Sequence, residues 1–183
     1  MNSLAVLQPQ GIVPALKLDV TDISAPLDDW KLEANFSELS VAPWHGAPGV
    51  TGATGYVELT QGSGFVVLDS QQFSMYFPTV YQRALHYDDF HGTIYIDWDD
   101  EQVTLSSGLV EAREEEGRVP VKFGLSVPLT PSDVGVEMDL LVGLENTDAA
   151  QREKYIPFIL DQKLRDWLTA SIRGGRIEQG GFL

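Results

Sequence analysis

The chain has 183 residues, of which 43% are hydrophobic, and its 27 acidic side chains against 12 basic ones give a formal net charge of −15. The length suffices for one domain or a tight pair with a buried core. The acidic balance argues against nucleic acid and anionic membrane surfaces as partners, because both are held by basic side chains. The absence of cysteine excludes disulfides, thiolate metal sites and a thiol nucleophile.

Strict alternation of apolar and polar residues predicts strands along most of the chain. The apolar positions, in chain order, are Leu16, Leu18 and Val20; Trp30, Leu32, Ala34 and Phe36; Val57 and Leu59; Phe73, Met75 and Phe77; Ile94, Ile96 and Trp98; and Val103 and Leu105. Residues 55–70 and 92–107 echo one another as strand, tight turn and strand, with turns "QGSG" and "DDEQ" and with Ser70 matching Ser107. Each of these segments therefore predicts a hairpin.

The strongest predicted hairpin lies in the second half of the chain. Residues 119–129 alternate without a break, and one strand of this length spans roughly 36 Å at ~3.3 Å per residue. "TPSD" follows as a turn in which Pro131 occupies the second position. The returning strand has its apolar residues at Val134, Val136, Met138, Leu140, Val142 and Leu144.

Helix is predicted only late in the chain. "TDAAQREKY" begins with Thr147 or Asp148 as a cap and is stopped by Pro157, so it is short. "DQKLRDWLTASIRGG" is a better helix, capped by Asp161 and ended by Gly174, with a stripe formed by Leu164, Trp167, Leu168 and Ile172. A helical turn is also expected in "FPTVYQRALHY".

These elements predict a mainly β fold in which a long antiparallel sheet of successive hairpins carries one or two short α-helices. One amphipathic helix of about four turns is too small to cover eight to ten strands that are each apolar on one face. The pattern alone favours a closed barrel or sandwich, and an open groove or incomplete barrel is the alternative. The predicted organisation is a leading strand region in 1–28, an antiparallel β region in 29–146, a helical segment in 147–176 and a further strand from 177 to 183.

Candidate chemical motifs are few. "DWDDE", residues 97–101, has acidic density but lies where a hairpin turns, and "EAREEEGR", residues 111–118, is expected to cap a loop or an edge. The histidines His45, His86 and His91 are not at metal-ligand spacing, although Asp88 and Asp89 stand between the last two. We therefore expect no metal, no cofactor and no catalytic residues. A hydrolase using Asp97 or His91 remains an alternative.

Two long stretches resemble a known family. "FSELSVAPWHGAPGVTGATGYVEL", followed by "GFVVLDSQQFSMYFPTVYQRALHYDDFHGTIYIDWDDEQVTLSSGLVEA", is similar to the central region of the YhdP proteins, members of the AsmA-like group of bacterial envelope proteins. "YIPFILDQKLRDWLTASIRGGRIEQGGF" resembles a later stretch of the same family. The chain is shorter than the family's large proteins and lacks their N-terminal membrane anchor, so we expect a fragment. Its acidic loops depart from the basic, Arg-rich loops expected in the family.

The resemblance implies a periplasmic segment of an inner-membrane-anchored protein, with a curved sheet whose apolar concave face shields phospholipid acyl chains on their way between inner and outer membrane. The implied partners are those acyl chains and neighbouring segments of a longer parent chain, without nucleic acid. A closed β-sandwich interaction or scaffold module with no lipid ligand is the alternative. The expected lipid-binding residues are Ile94, Ile96, Trp98, Val121, Phe123, Leu125, Val127, Val136, Met138, Leu140 and Val142.

Overall fold

The computed structural model describes residues 8–22, 24–25, 29–44, 47–115, 117–130, 135–149, 154–171 and 174–182. Within them lie ten strands and one α-helix. In chain order they are β1 (Gln10–Val20), β2 (Trp30–Val41), β3 (Gly49–Thr60), β4 (Ser63–Tyr76), β5 (Leu85–Trp98), β6 (Gln102–Ser107), β7 (Val110–Glu114), β8 (Gly117–Pro128), β9 (Glu137–Asp148), α1 (Gln162–Ser171) and β10 (Arg176–Phe182).

All ten strands belong to one antiparallel sheet. Its order is β1-β2-β3-β4-β5-β6-β8-β9-β10, and β7 continues the line of β6 because it also pairs with both β5 and β8. The sheet begins at β1 and ends at β10 without closing on itself. The closed barrel or sandwich favoured by the pattern alone is therefore wrong, and the open, mainly β fold is confirmed. Consecutive strands pair with each other except β6 and β7, which lie end to end, so the chain extends the sheet instead of stacking a second layer.

Both echoing segments form hairpins. The β3–β4 turn places Gly62 at a φ of 81°, which suits glycine because it has no Cβ. In the β5–β6 turn, Asp99 Oδ1 accepts hydrogen bonds from the backbone N–H groups of Glu101 and Gln102, both at 2.8 Å. These bonds hold the pKa of the Asp99 carboxyl below its usual value. The acidic segment 97–101 is thus a hairpin turn, as predicted.

The long hairpin is also present, as β8 and β9. Phe123 pairs with Leu140 and Leu125 with Met138. The turn predicted around Pro131 and the position of Val134 lie outside the described residues. The prediction that 111–118 caps a loop or an edge is wrong for its first part, because β7 is hydrogen-bonded on both sides. Only the outward side chains of this strand, such as Glu111 and Arg113, are solvated.

The better of the two predicted helices forms as α1. Asp161 caps it, since its Oδ1 accepts a hydrogen bond from the N–H of Lys163 at 2.9 Å. None of its described side chains is buried, and Trp167 is 62% exposed. The helix therefore does not cover the sheet. Ile172 and residues 150–153 of the predicted helix 147–155 lie outside the described residues, whereas its predicted caps, Thr147 and Asp148, are the last residues of β9.

A line of backbone kinks crosses β2, β3 and β4. Glu38, Gly52 and Gln72 have φ values of 53°, 76° and 55°. We call these three residues the kink line. At each of them the alternation changes phase: in β4, Ser70 and Phe73 are both buried although they are an odd number of residues apart. In β4, even-numbered residues such as Ser70 face the core before the kink, and odd-numbered residues such as Phe73 face it after the kink.

Buried serines repair the hydrogen-bond ladder where it is interrupted. Ser70 is fully buried beside the irregularity in β3, and its Oγ accepts from Thr54 N at 2.9 Å and donates to Thr54 O at 3.1 Å. Ser107, at the break between β6 and β7, accepts from Phe123 N at 2.9 Å. Ser70 and Ser107, which occupy matching positions in the two similar segments, thus play the same role: each hydroxyl bonds to a backbone group where the strand pairing is interrupted.

Candidate functional site: an apolar face across the sheet

The register aligns apolar side chains in a row that runs across the strands. One residue from each of eight strands contributes to this transverse row: Leu18, Leu32, Leu59, Gly64, Ile96, Leu105, Leu125 and Met138. Seven of these residues are apolar and the eighth is glycine. Because neighbouring strands lie ~4.8 Å apart, the row is about 34 Å long.

The adjacent row points to the other face and is polar throughout. It consists of Asp19, Lys31, Thr60, Ser63, Asp97, Thr104, Ser126 and Glu137. Ion pairs and hydrogen bonds link the first three strands on this face, including Lys31 with Glu58 at 3.0 Å and the Tyr56 hydroxyl with Glu33 at 3.1 Å. The sheet is therefore amphipathic across most of its width, and only one of its faces is apolar.

Part of the apolar face is covered by the protein itself. Phe73 stacks on Phe90 with ring centroids 4.2 Å apart, and the turn that follows β4 brings Phe77 and Tyr81 into the same core. Tyr155, which follows β9, joins this core as well. We call the area around these residues the covered half. It is an ordinary hydrophobic core and supplies stability.

The rest of the face is different. Leu32, Leu59, Ile96, Trp98 and Phe123 are each partly exposed, and none of them packs against the core cluster. We call this set the open half. Within the described residues, no helix or second sheet lies over it. Uncovered apolar side chains aligned over several strands are typical of interaction surfaces.

The eleven expected lipid-binding residues fall into three groups. Ile94, Ile96, Trp98, Val121, Phe123 and Leu140 are partly exposed, and Met138 and Val136 are 36% and 40% exposed. Leu125, Val127 and Val142 are buried at 4%, 3% and 5% exposure and belong to the core cluster. The structure thus brings the strand residues of this set to one face, but the last three are core residues in this conformation.

Several residues of the same face escaped the sequence-based list. Leu32, Leu59 and Leu105 occupy the transverse row beside Ile96, and Leu16 and Leu18 extend the face onto β1, where they are 61% and 56% exposed. Their alternation identifies them as facing one side. Only the strand register shows that it is the same side as Ile96.

The described histidines and Asp97 lie on the polar face, away from the apolar face. His86 Nδ1 lies 2.6 Å from Ser74 Oγ, and His91 Nδ1 lies 2.9 Å from Asp69, both on exposed positions of the polar face. Asp97 is on that face too, between Ser63 and Thr104. Among the described side chains, no three His, Asp or Glu residues are placed to share a metal ion. His45 lies outside the described residues.

An open, single-layer amphipathic β-sheet with a partly bare apolar face defines the class of this protein. The model of the YhdP protein family matches residues 1–183, and the chain belongs to that family. Neither the curated proteins nor the solved structures contain a match. In the described part of the chain, no helix has both the length and the hydropathy needed to cross a bilayer.

Proposed function

We propose that this chain is a periplasmic segment of a bridge-like lipid-transfer protein and that phospholipid acyl chains lie against its open half. The observation that carries the proposal is the transverse row, in which seven apolar residues and one glycine from eight strands lie side by side. Membership of the YhdP family supports the envelope location. No catalytic role is assigned to any residue.

The dimensions and energetics suit an acyl chain. One leaflet of a bilayer has a hydrocarbon depth of ~15 Å, so the row, at about 34 Å, is roughly twice as long as the ligand. An acyl chain of about fifteen methylenes gains about 12 kcal/mol on leaving water at ~0.8 kcal/mol per CH₂. The row offers no polar contact that would fix one position. Within the open half, a chain therefore changes position without losing burial.

We also propose that neighbouring segments of a longer parent chain continue the sheet at its edges. Along its full length β1 is hydrogen-bonded only to β2 among the described residues, and all of its side chains are exposed. An uncovered edge of this length is a template for another strand. Adding strands beside Leu16 and Leu18 would lengthen the apolar face in the direction of the transverse row.

Site-specific photocrosslinking tests the proposal. A benzophenone amino acid is introduced at position 123, on the open half, and as a matched control at position 95, on the polar face of β5. After irradiation in cells, mass spectrometry of the purified protein should show phospholipid adducts at position 123 and none at position 95. Equal labelling at both positions, or no lipid at either, would refute lipid binding by this face.

A substitution pair gives a second test on the purified chain. Ile96→Asp places a charge in the transverse row, whereas Tyr95→Asp, its neighbour in sequence, places the same charge on the polar face. We expect Ile96→Asp to lose most binding of an apolar dye while its circular dichroism stays that of a β-protein, because the open half is only partly buried. Tyr95→Asp should bind the dye like the parent. If Ile96→Asp unfolds the protein, the residue is part of a sealed core.

A further inference from the structure

A cavity that is separate from the open half lies between three segments of the chain. Its volume is about 710 Å³, within the range of small-molecule sites, and it is bounded by the loop that leads into β5, by the segment after β9 and by α1. Leu85 and Tyr81, both buried in the core, form part of its wall. No motif marks this cavity in the sequence, because its walls come from distant parts of the chain.

The cavity concentrates positive charge in an acidic protein. Three basic side chains line it, Arg83, Lys154 and Arg165, against one carboxylate, Asp166. In the whole chain the proportion is the reverse, with 27 acidic and 12 basic residues. Lys154 is paired with the carboxylate of Glu114, so the charge available to a ligand comes from the two arginines. An anion would be attracted to this cavity and repelled by most of the remaining surface.

Both arginines have unused hydrogen-bonding capacity. Neither Arg83 nor Arg165 forms an ion pair with the described carboxylates. The Nε–H of Arg165 is buried and has no hydrogen-bond partner, although buried donors are normally satisfied. A guanidinium presents a planar fork of donors that matches the oxygens of a phosphate or carboxylate. The two arginines come from different elements of the chain and line the same cavity.

We propose that this cavity binds a phosphate-ester anion through Arg83 and Arg165. The buried wall formed by Tyr81 and Leu85 also suits an apolar group attached to the phosphate. A lipid headgroup and a free phosphate share this chemistry, and the site does not depend on acyl-chain binding by the open half. The test below separates the two sources.

Nuclear magnetic resonance of the arginine side chains provides the direct readout. We expect the ¹⁵Nε–¹Hε resonance of Arg165 to shift on titration with dihexanoyl phosphatidylglycerol, inorganic phosphate or both, at constant ionic strength maintained with chloride. A response to phosphate alone identifies a free-anion site, and a response to the short-chain lipid alone identifies a headgroup site. No response to either ligand would overturn the proposal. Resonances of the Ile96 methyl groups, recorded in the same samples, report on the open half separately.

Charge-removing variants complete the experiment. Arg83→Gln and Arg165→Gln should each weaken binding at least about tenfold, because a charge-assisted fork is lost. Lys163→Gln removes the same charge from the same helix but outside the cavity, and it should leave the affinity within about twofold. The fold should survive in all three, since Arg83 is exposed and α1 contributes no described buried side chain. Equal weakening by Lys163→Gln would show that only the overall charge of this surface matters, which also overturns the proposal.

Discussion

The carboxylate of Glu114 in β7 accepts a hydrogen bond from the hydroxyl of Tyr155, 41 residues further along the chain. Both side chains are buried, and the neighbouring Lys154 pairs with the other oxygen of the same carboxylate. Burial of a charged carboxylate is favourable only when it is paired and hydrogen-bonded. This three-residue contact therefore fastens the segment after β9 to the covered half of the sheet.

Removing the hydroxyl tests that role. Tyr155→Phe should lower the free energy of unfolding by about 1–3 kcal/mol, because a buried carboxylate oxygen loses its donor. Urea unfolding monitored by circular dichroism measures the change. Tyr95→Phe is the control, since Tyr95 is 49% exposed, and it should change the stability by less than about 0.5 kcal/mol. Equal losses in the two variants would show that the Glu114 contact contributes nothing specific.

Two phenylalanines on the apolar face should respond differently to truncation. Phe73→Ala should cost about 3–5 kcal/mol of stability, because Phe73 is 2% exposed and stacks on Phe90. Phe123→Ala, in the open half, should cost less than about 2 kcal/mol, since part of that ring is already in water. Chemical denaturation of both variants makes the comparison. Equal costs would mean that the open half is sealed in solution.

Because the Ser70 hydroxyl bonds to the backbone of Thr54, removing this one oxygen atom should lower the stability of the fold markedly. Ser70→Ala should destabilise the fold by about 1–3 kcal/mol, because the N–H of Thr54 loses the acceptor that the buried Ser70 hydroxyl provides. Amide hydrogen exchange should show faster exchange at Thr54. Ser126→Ala is the matched control, because Ser126 belongs to the polar row, and it should leave both stability and exchange at Thr54 unchanged. Unchanged exchange at Thr54 in Ser70→Ala would contradict the assigned role.

The polar face predicts a dependence of stability on alkaline pH. Desolvation, together with hydrogen bonds to Glu33 and Glu58, raises the pKa of Tyr56 from 10.0 to about 12. The folded state thus holds this proton more tightly than the unfolded state. The contribution of Tyr56 is fully present below pH 10 and is lost as the pH rises towards 12.

Tyr56→Phe should flatten the fall in stability between pH 10 and 12 relative to the parent. It should also remove one late-titrating group from the ultraviolet absorbance of tyrosinate. Burial also raises the pKa of Tyr87, so late titration does not disappear entirely. An identical pH dependence in parent and variant would show that the Tyr56 contacts with Glu33 and Glu58 are absent in solution.

The alternation of apolar and polar residues predicts much of this fold, but it fails at the kink of Gln72 and at β7. It identifies the strands and the apolar side of each, since a half-buried strand must alternate. It does not predict the phase change at Gln72, because two adjacent polar residues read equally well as an outward-facing pair or as a turn. It also misses β7, because the charged residues Glu111, Arg113 and Glu114 dominate the sequence of this strand although Val110 and Ala112 are buried.

The sequence predicts the two candidate sites to different extents. Ile96 and Phe123 could be assigned to an apolar face from their own strands, but their alignment with Leu32 and Leu59 depends on the register across five intervening pairings. The cavity of Arg83 and Arg165 has no sequence signal, because each arginine stands alone among ordinary loop or helix residues. Tertiary packing alone brings them together.

The kink at Gln72 limits how this molecule can change in length. Gln71 pairs with Asp89 and Phe73 with Tyr87, so Gln72 and Asp88 stand opposite each other with no shift in the register of β4 and β5. Deleting Gln72 alone would slide the rest of β4 by one position and turn its aromatic side chains away from their partners. Deleting Gln72 and Asp88 together would keep β4 and β5 in register with each other, but it would shift β4 against β3, where Gly52 lies against the backbone of Gln72. Insertions and deletions in this sheet are therefore tolerable only as coordinated events on adjoining strands.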